Sequence, residues 1–429
     1  MRKLVYLLIF SFLSTFLFAQ KTDTLNLQKC YEFAENNFSL SATEELYKKT
    51  NELNIQKANA TYLPQFDLNA KATYQSEVTS IDLSGLPFPI DIDAPSQDQY
   101  QATFDLSQII YDGGITKKMK ELHNVNMNID IQKLNIEKFK LKEKINNLFF
   151  SILLLNENLE LINLLKKDLD EKIKVIESGI KNGVLIASDV YVLQAEIIKV
   201  EQNEIEIKSK LKNLRDALSE ITSLEITENT VFEEKNTKNN FLQNENYEIT
   251  KRPEKELFNL QKQKINAGIE VIKSKKNPKL FAFGQLGYGK PGLNFLSNEF
   301  GEFYFVGVKM NWNIWDWKQN KYEQEIMKLN KDVLDCKEKN FDKNIKIALD
   351  YQTNDIEKFE KLILKDKDII ELKEKVKKVA SSKLKNGTIT SSEYLTELNA
   401  EIQAKLKLAI HKVQLEQARI NFMMIKGVL

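Results

Sequence analysis

Two lysine–acid pairs at matching places in the chain are the residues whose type and spacing could do chemistry. Lys181-Asn182-Gly183 precedes Asp189, and Lys385-Asn386-Gly387 precedes Glu393. An Asn-Gly pair predicts a tight turn, so each acid lies just beyond a turn. Carboxylates that share a site repel one another, raise one another's pKa and attract cations. A second interpretation stays open, in which each acid, or the serine one residue before it, only stabilises the start of the next helix.

The same two turns also carry residues suited to binding a partner. These are the turn glycines and the apolar residues that follow them: Gly183, Val184, Leu185, Ile186, Gly387 and Ile389. Exposed apolar groups often mark a surface for a partner protein. They also occur where a turn packs against a neighbouring helix, and the sequence leaves both interpretations open.

No catalytic or metal-binding set of residues accompanies these turns. His123 and His411 are isolated, and Cys30 and Cys336 lie far apart in helical patterns. We therefore expect no enzyme activity, no cofactor, no metal site and no disulfide framework. The chain has 62 Lys and Arg residues against 61 Asp and Glu residues. This balance argues against a nucleic-acid partner, which would require a basic surface.

Internal repetition indicates which elements position the two turns. The segment Tyr111–Gly114 corresponds to Trp315-Asp316-Trp317, 204 residues later, and the two Asn-Gly turns are also 204 residues apart. Leu63-Pro64 and Pro278 open a second match with an offset of 214 residues. We infer a duplicated chain, in which a surface loop between Tyr74 and Asp112 accounts for the difference between the offsets.

Four segments of about ten residues alternate apolar and polar residues, which is the period of a β-strand with one apolar face. The segment that begins at Phe66 and the segment that begins at Tyr100 form a first hairpin, and two further segments form a second. The alternation is weakest in the third strand, because Phe281 and Phe283 fall on its polar face.

The strands have the length that a tilted strand needs to cross a bilayer, although a half-buried sheet in a soluble protein shows the same alternation. Four strands cannot close a barrel, and an open edge in lipid leaves backbone groups unpaired. Three copies of the chain would supply twelve strands. Asp105 and Lys309 occupy matching positions on the polar faces. They either pair in a lumen or simply face water.

Beyond each hairpin the periodicity changes to the 4,3 spacing of a coiled coil. Lys166 interrupts the first long seam, and Glu204 occupies the one polar slot of the seam that returns. The predicted organisation begins with a signal peptide at 1–19. A first repeat at 20–222 contains helices, a hairpin at about 65–110, a long helix at about 114–180 and a return helix at 188–222. After an equatorial linker at 223–252, a second repeat at 253–429 contains a helix at 254–276, a hairpin at about 279–314, a long helix at about 318–384 and a return helix at 392–426.

The amino terminus has the pattern of an exported protein. Arg2 and Lys3 precede an apolar run from Leu4 to Phe18, and Ala19 follows. This pattern is typical of a secretory signal peptide cleaved after Ala19, with a membrane anchor as the alternative. No other apolar run approaches the roughly 18–20 residues of a membrane-spanning helix.

The ordered set of these features resembles the TolC-like outer membrane efflux protein family. The features are Leu63-Pro64, Pro278, Tyr111-Asp112-Gly113-Gly114, Arg252-Pro253-Glu254, and the two Asn-Gly turns with Ser188-Asp189 and Ser392-Glu393. The resemblance covers essentially the whole chain after the signal peptide. The chain departs from the family at Asn37-Phe38-Ser39, where Asn-Pro is common, and at Trp317, which replaces a glycine. Both departures lie at the starts of elements, where alternatives are tolerated.

The resemblance implies a mixed α and β membrane protein in the outer membrane that extends into the periplasm. Three chains would form a 12-stranded transmembrane β-barrel, continued by a long α-helical coiled-coil tunnel. A periplasmic adaptor and a proton-driven or ATP-driven inner-membrane pump would dock at the closed end, for efflux or type I secretion. By position, Asp189 and Glu393 resemble the acidic constriction of the family, with Lys181 and Lys385 as partners that hold it shut. The apolar turn residues would receive the adaptor.

Two other classes of protein remain as alternatives. A periplasmic adaptor also has coiled-coil hairpins, but it has one hairpin flanked by small β-domains. An exported structural coiled-coil protein would not need two pairs of amphipathic strands. The sequence does not identify the transported substrate.

Overall fold

A computed structural model describes residues 24–37, 40–79, 96–233, 251–295 and 297–429. The predicted signal peptide, part of the predicted loop before Asp112 and most of the predicted linker lie outside these residues. The elements, in chain order, are β1 (Thr24–Leu25), α1 (Leu27–Asn37), α2 (Leu40–Ala60), β2 (Gln65–Tyr74), β3 (Asp98–Tyr111), α3 (Ile115–Lys181), α4 (Ala187–Thr222), β4 (Val231–Phe232), α5 (Pro253–Ser274), β5 (Lys279–Lys290), β6 (Gly301–Asn311), α6 (Gln319–Lys385) and α7 (Ser391–Lys426).

The chain forms two compact units. The helical unit comprises the described residues of Met1–Ser41, Leu134–Lys255 and Asn340–Leu429, and the sheet unit comprises Ala42–Lys133 and Glu256–Lys339. The helices α3 and α6 each have 67 residues, and α4 and α7 each have 36.

Coiled-coil seams build the core of the helical unit. Ile145, Ile152 and Leu169 of α3 are fully buried and pack in one cluster with Leu193 and Leu211 of α4. The 4,3 spacing places these residues on one face of each helix, and burial of that face stabilises the pair.

The polar interruptions of the two seams meet. Lys166 of α3 lies 2.8 Å from Glu201 and 3.6 Å from Glu204 of α4, measured between the ammonium nitrogen and a carboxylate oxygen. A charge in an apolar seam is tolerated when it is paired with an opposite charge, so the interruption fixes the register of the two helices.

One expectation from the sequence was wrong, namely that no apolar run after the amino terminus approaches the length of a membrane-spanning helix. Within the described part of the chain, α3 is the one helix long and apolar enough to cross a membrane by length and composition. Phe149 and Phe150 of this helix are buried in the helical core, and 28% of its most apolar window is buried in all.

The sheet unit holds a four-stranded antiparallel sheet in the order β2-β3-β5-β6. Both hairpins therefore belong to one sheet, joined where Phe104 of β3 lies opposite Leu286 of β5. Among the described strands, the outer strands β2 and β6 each have one neighbour, so each leaves one edge of backbone N–H and C=O groups without a strand partner there.

One face of this sheet is apolar and exposed. Leu68 is 80% exposed and Val306 is 79% exposed, and Phe66, Tyr304 and Met310 lie on the same face. The opposite face carries the alternate residues, among them the carboxylates and amides of β2 and β3. The alternation in the sequence therefore separates an apolar face from a mostly polar face.

The turns from strand to helix repeat the same backbone conformation. Gly113 and Gly114 have positive φ angles of 77° and 86°, and Trp317 and Lys318 have positive φ angles of 51° and 65°. The left-handed conformation thus persists where the second turn lacks glycine. In both turns an aspartate accepts hydrogen bonds from the following backbone, such as Asp112 from Thr116 at 2.6 Å and Asp316 from Asn320 at 3.2 Å.

Candidate functional site at the helix turns

The two Asn-Gly turns lie side by side in the helical unit. Gly183 and Gly387 both adopt the left-handed conformation, with φ angles of 74° and 66°. The N–H of Val184 bonds to the Gly179 carbonyl at 2.9 Å, and the N–H of Thr388 bonds to the Lys383 carbonyl at 3.0 Å. These bonds close each long helix with the same glycine-based cap.

A hydrogen bond joins the two turns. The N–H of Ser391, at the start of α7, donates to the carboxylate of Asp189, in the first turn of α4, over 3.0 Å. Both residues are buried. The carboxylate also lies near the positive end of its own helix, which favours its negative charge.

Glu393 has a different environment from Asp189. Its side chain accepts hydrogen bonds from the Thr390 N–H at 2.8 Å and from the Thr390 hydroxyl at 3.0 Å. The Thr390 hydroxyl in turn accepts from the Glu393 N–H, which completes a capping box at the start of α7. The hydrogen bonds from Thr390 hold the pKa of the exposed Glu393 below its usual range.

The predicted helix caps were partly wrong. Thr390, rather than Ser392, caps α7, and Ile186 occupies the cap position of α4 without a side-chain hydrogen bond. Asp189 therefore bonds across to the other turn, whereas Glu393 stabilises its own helix. The two acids do not contact the predicted lysines: within the described residues Lys181 and Lys385 form no ion pair. Both lysines lie in the last turn of a long helix, where a positive charge is favoured.

The apolar turn residues fall into two groups. Ile186 is 68% exposed and Val184 is 51% exposed. Leu185 and Ile389 are partly buried and pack against the helical core, where Leu185 lies against Gly179. The packing interpretation therefore applies to Leu185 and Ile389, and the surface open to a partner at these turns is formed by Val184 and Ile186.

A groove of about 560 Å3 runs beside the second turn, between α6 and α7. Val376, Val379 and Ile389 are among its apolar lining residues, and Lys383 and Glu393 are among its charged ones. This lining suits an amphipathic segment, because it offers apolar contacts beside charged groups.

A buried ion-pair network, which the sequence did not suggest, lies further along the same helices. The carboxylate of Glu401 is 1% exposed and lies 2.6 Å from the Lys377 ammonium and 2.7 Å from that of Lys405. Lys377 also lies 3.4 Å from Asp168 of α3. Burial acts to raise the pKa of Glu401, but the two lysines outweigh it and hold the pKa below its usual value. The sequence did hold a signal for this network, because Glu401 lies three residues after the buried Leu398 and so places a charge in the 4,3 spacing of apolar residues.

The predicted lumenal residues do not meet. Asp105 of β3 lies opposite Asp67 and Gln285, whereas Lys309 of β6 lies opposite Phe281. Asp105 accepts hydrogen bonds from Asn69 at 2.6 Å and from Thr103 at 3.0 Å. No ion pair joins Asp105 to Lys309 within this chain.

Comparison with known proteins places the fold. A sequence profile described as outer membrane efflux protein matches residues 30–223. No curated protein matches the chain by sequence. Among similar solved structures is the outer membrane protein VceC of Vibrio cholerae, with 12% identity over 94% of this chain and 96% of VceC and a TM-score of 0.67. The CmeC outer membrane channel of Campylobacter jejuni has 14% identity over 94% of this chain and 85% of CmeC, with a TM-score of 0.67. The open state of the MtrE outer membrane channel of Neisseria gonorrhoeae has 13% identity over 94% of this chain and 89% of MtrE, with a TM-score of 0.64.

These matches confirm the resemblance predicted from the sequence. The profile supplies a relationship by sequence over the first half, and the structures share the fold over nearly the whole chain. The proteins of this fold named here are channels and outer membrane proteins rather than enzymes.

Proposed function

We propose that this chain, a TolC-like outer membrane efflux protein by its sequence profile and fold, forms the outer membrane exit duct of a tripartite efflux or type I secretion system. Three copies form a 12-stranded barrel continued by a helical tunnel across the periplasm. After signal-peptide export, the duct receives substrates from a periplasmic adaptor and an inner-membrane pump, and a gate at the helix turns controls passage.

The observation that carries this proposal is the sheet with one exposed apolar face and two open edges. In water, Leu68 and Val306 would leave an apolar surface exposed, whereas in a bilayer they would face lipid. In lipid, the open edges of β2 and β6 would leave backbone groups unpaired. Pairing β6 of one copy with β2 of the next gives these backbone groups partners, because the antiparallel order then continues around a closed ring.

A second uncovered surface supports assembly from several copies. Along α6, two short runs of exposed apolar residues each keep the 4,3 spacing of a coiled-coil seam: Tyr322, Ile326, Leu329 and Val333 in the sheet unit, and Ile369, Leu372, Val376 and Val379 in the helical unit. Such a seam requires a facing helix. A neighbouring copy supplies one and buries the seam in a tunnel wall.

The equal lengths of the paired helices support an internal duplication. The helices of 67 residues and of 36 residues each occur twice, and the left-handed residues at both strand-to-helix turns correspond at an offset of 204 residues. The two repeats then give each copy two hairpin tips, so a trimer presents six tips around one mouth. The domain boundaries predicted from the sequence are part of this proposal.

The gate and the docking surface both belong to these tips. Asp189 and Glu393 supply six carboxylates to a trimer mouth, and Lys181 and Lys385 lie at the ends of the long helices beside them. Val184 and Ile186 form the surface for the adaptor. The two alternatives, a periplasmic adaptor or a structural coiled-coil protein, leave the exposed apolar face of the sheet unexplained.

Cysteine cross-linking between copies tests the assembly. With exposed Cys336 replaced by serine, single cysteines are placed along β2 and β6 and combined in pairs. We expect some pairs to give covalent trimers in the outer membrane fraction, while pairs between β2 and the interior strand β5 of another copy give none.

Leu372→Glu in the α6 seam should reduce these trimers, whereas Lys361→Glu, at an exposed charged position, should not. Recovery in the soluble periplasmic fraction without covalent trimers would contradict the proposal.

The transported class follows from the partners. In-cell cross-linking from position 186, followed by purification from the outer membrane, should recover an adaptor and its pump. A proton-driven pump would identify small-molecule efflux, and an ATP-driven pump would favour peptide or protein secretion or ATP-driven drug export. A trimer recovered without any adaptor would favour a stand-alone pore.

A further inference from the structure

We infer that the polar face of the sheet carries a binding site for organic cations with aromatic rings, formed by Phe283, Phe303 and Phe305 beside Asp67 and Asp105. The inference rests on the proposed function, since it requires this face to line the lumen of a barrel. It adds a ligand class and a set of residues to that function.

Two of the phenylalanine rings lie directly over glycines of the neighbouring strand. Phe283 of β5 is opposite Gly307 of β6, and a Cβ on Gly307 would lie 2.7 Å from the Phe283 ring. Phe303 of β6 covers Gly287 of β5 in the same way. Because glycine has no side chain, the rings can lie along the sheet and present an apolar surface on the otherwise polar face.

Phe305 extends this surface. Its ring packs edge-on against Phe283, with 6.1 Å between the ring centroids. Phe305 is 41% exposed, so its ring remains open to the space above the sheet. Phe283 and Phe305 therefore form a continuous aromatic surface across two strands, and Phe303 lies two residues before Phe305 on the same face.

The fold does not require phenylalanine at these positions. At the internal offset of 214 residues Phe283 corresponds to Asn69, and at the offset of 204 residues Phe303 and Phe305 correspond to Gln99 and Gln101. The first hairpin thus forms its strands with polar residues at the equivalent places. The aromatic surface is a property of the second hairpin alone, which points to a ligand rather than to folding.

Two carboxylates without a cationic partner lie beside the aromatic surface. Asp67 of β2 is directly opposite Asp105 of β3, and neither forms an ion pair among the described residues. Like charges at directly opposed positions are destabilising. Asn69, Thr103 and Gln285 donate hydrogen bonds to Asp105 and fix its orientation, but these donors carry no positive charge.

The spacing of these groups indicates the size and chemistry of the ligand. Asp67, Asp105, Gln285 and Phe305 form one row across the sheet. With strands about 4.8 Å apart, the backbones of Asp105 and Phe305 are about 10 Å apart. The described residues hold no group of three potential metal ligands. An organic cation whose rings stack on phenylalanine while its charge lies near the carboxylates spans this distance.

Equilibrium dialysis with radiolabelled tetraphenylphosphonium tests the inference on the trimer in lipid nanodiscs, with empty nanodiscs as background. We expect saturable binding, which Phe305→Leu and Phe283→Leu each weaken about tenfold, in line with the loss of a desolvated cation–aromatic contact. Asp105→Asn should weaken binding several-fold. Tetraethylammonium, which has the same charge but no rings, should not compete.

A matched control uses the opposite face of the same sheet. Phe66 and Phe104 stack there with 5.7 Å between centroids, and Phe66→Leu should leave binding unchanged. Equal binding by all variants, binding that does not saturate, or full binding by Asp105→Asn would overturn the inference. If Phe283→Leu fails to assemble, Phe305→Leu decides, because its ring covers no glycine. Failure of the wild-type chain to form cross-linked trimers would instead contradict the proposed function.

Discussion

The carboxylate of Asp189 accepts a hydrogen bond from the backbone N–H of Ser391, 3.0 Å away, and so connects two helix starts that are 202 residues apart in the chain. Both groups are buried, and the bond joins the two hairpin tips of one copy. Any movement that separates the tips must break it. The bond therefore gives Asp189 a positioning role, distinct from the effect of its charge on passing ions.

Substitutions at Asp189 separate these two roles. Asp189→Ala removes the acceptor and leaves the Ser391 N–H unpaired, so we expect a loss of about 2 kcal/mol of stability at the tips. Asp189→Asn keeps an oxygen acceptor and removes the charge, so its loss should be smaller. Hydrogen exchange of the tip amides checks the difference. Equal exchange in the two variants would show that the hydrogen bond contributes nothing.

The charge of the tips is tested by the double variant Asp189→Asn with Glu393→Gln. Both replacements retain hydrogen-bond acceptors, so the bond to Ser391 and the capping box persist. We expect a higher resting conductance or a weaker preference for cations, because a trimer would lose six carboxylates at its mouth. Single-channel recording in planar bilayers measures both quantities. Unchanged conductance and selectivity would exclude the gate role.

The docking surface is tested at its two exposed residues. Val184→Glu with Ile186→Glu places charges on the apolar surface at the first turn, and we expect weaker adaptor cross-linking with normal trimer assembly. Ile198→Glu, at an exposed apolar position within α4 and away from the turn, serves as the control. Adaptor cross-linking at the wild-type level in the double variant would exclude docking at this turn.

The buried network around Glu401 predicts a pH dependence. The pKa of Glu401 is lower in the folded chain than its ordinary value near 4.5. Its ion pairs therefore stabilise the fold above that value, and the contribution is lost as the pH falls through the folded pKa. At neutral pH we expect Glu401→Gln to lower stability by about 1–3 kcal/mol. The difference from the wild type should shrink below pH 4.5, as measured by thermal unfolding in detergent.

The two turn glycines should differ in their tolerance of a side chain. Apart from its chain neighbours, Gly183 has no heavy atom within 4 Å of the point that a Cβ would occupy. Gly183→Ala should therefore lower the free energy of unfolding only by the cost of a Cβ in the left-handed region, about 1–2 kcal/mol. In Gly387→Ala the new Cβ would also lie 3.0 Å from the Val184 carbonyl oxygen. We expect a larger loss for Gly387→Ala in thermal unfolding. A smaller or equal loss would indicate that the two turns are not in contact.

Features with a local signal could be predicted from the sequence, and the fold family followed from them. Alternation marked the strands, and 4,3 spacing marked the helices. The polar interruptions of the seams also corresponded to structure, because Lys166 and Glu204 form an ion pair across the seam. Such patterns can be recognised in the sequence because each depends on one element and its period, not on how distant elements pair.

Features that depend on pairing between distant segments could not be predicted. The position of Phe283 over Gly307 requires the register of β5 and β6, and the bond from Ser391 to Asp189 requires the contact between two turns. The left-handed conformation of Trp317 and Lys318 was not predicted, for another reason. Glycine is the usual sign of a left-handed turn, but the repeated architecture holds two other residues in that conformation.

The equal lengths of α3 and α6 constrain how such a chain can change during evolution. One residue inserted into either helix would advance everything beyond it by about 1.5 Å and rotate it by about 100°. The contact between Gly387 and Val184 would then be lost, and so would the bond from Ser391 to Asp189. Lengthening is tolerated only when both helices, and the helices that return beside them, grow together. Insertions and deletions in relatives should therefore occur as matched sets, so that the long helices change length in whole coiled-coil repeats.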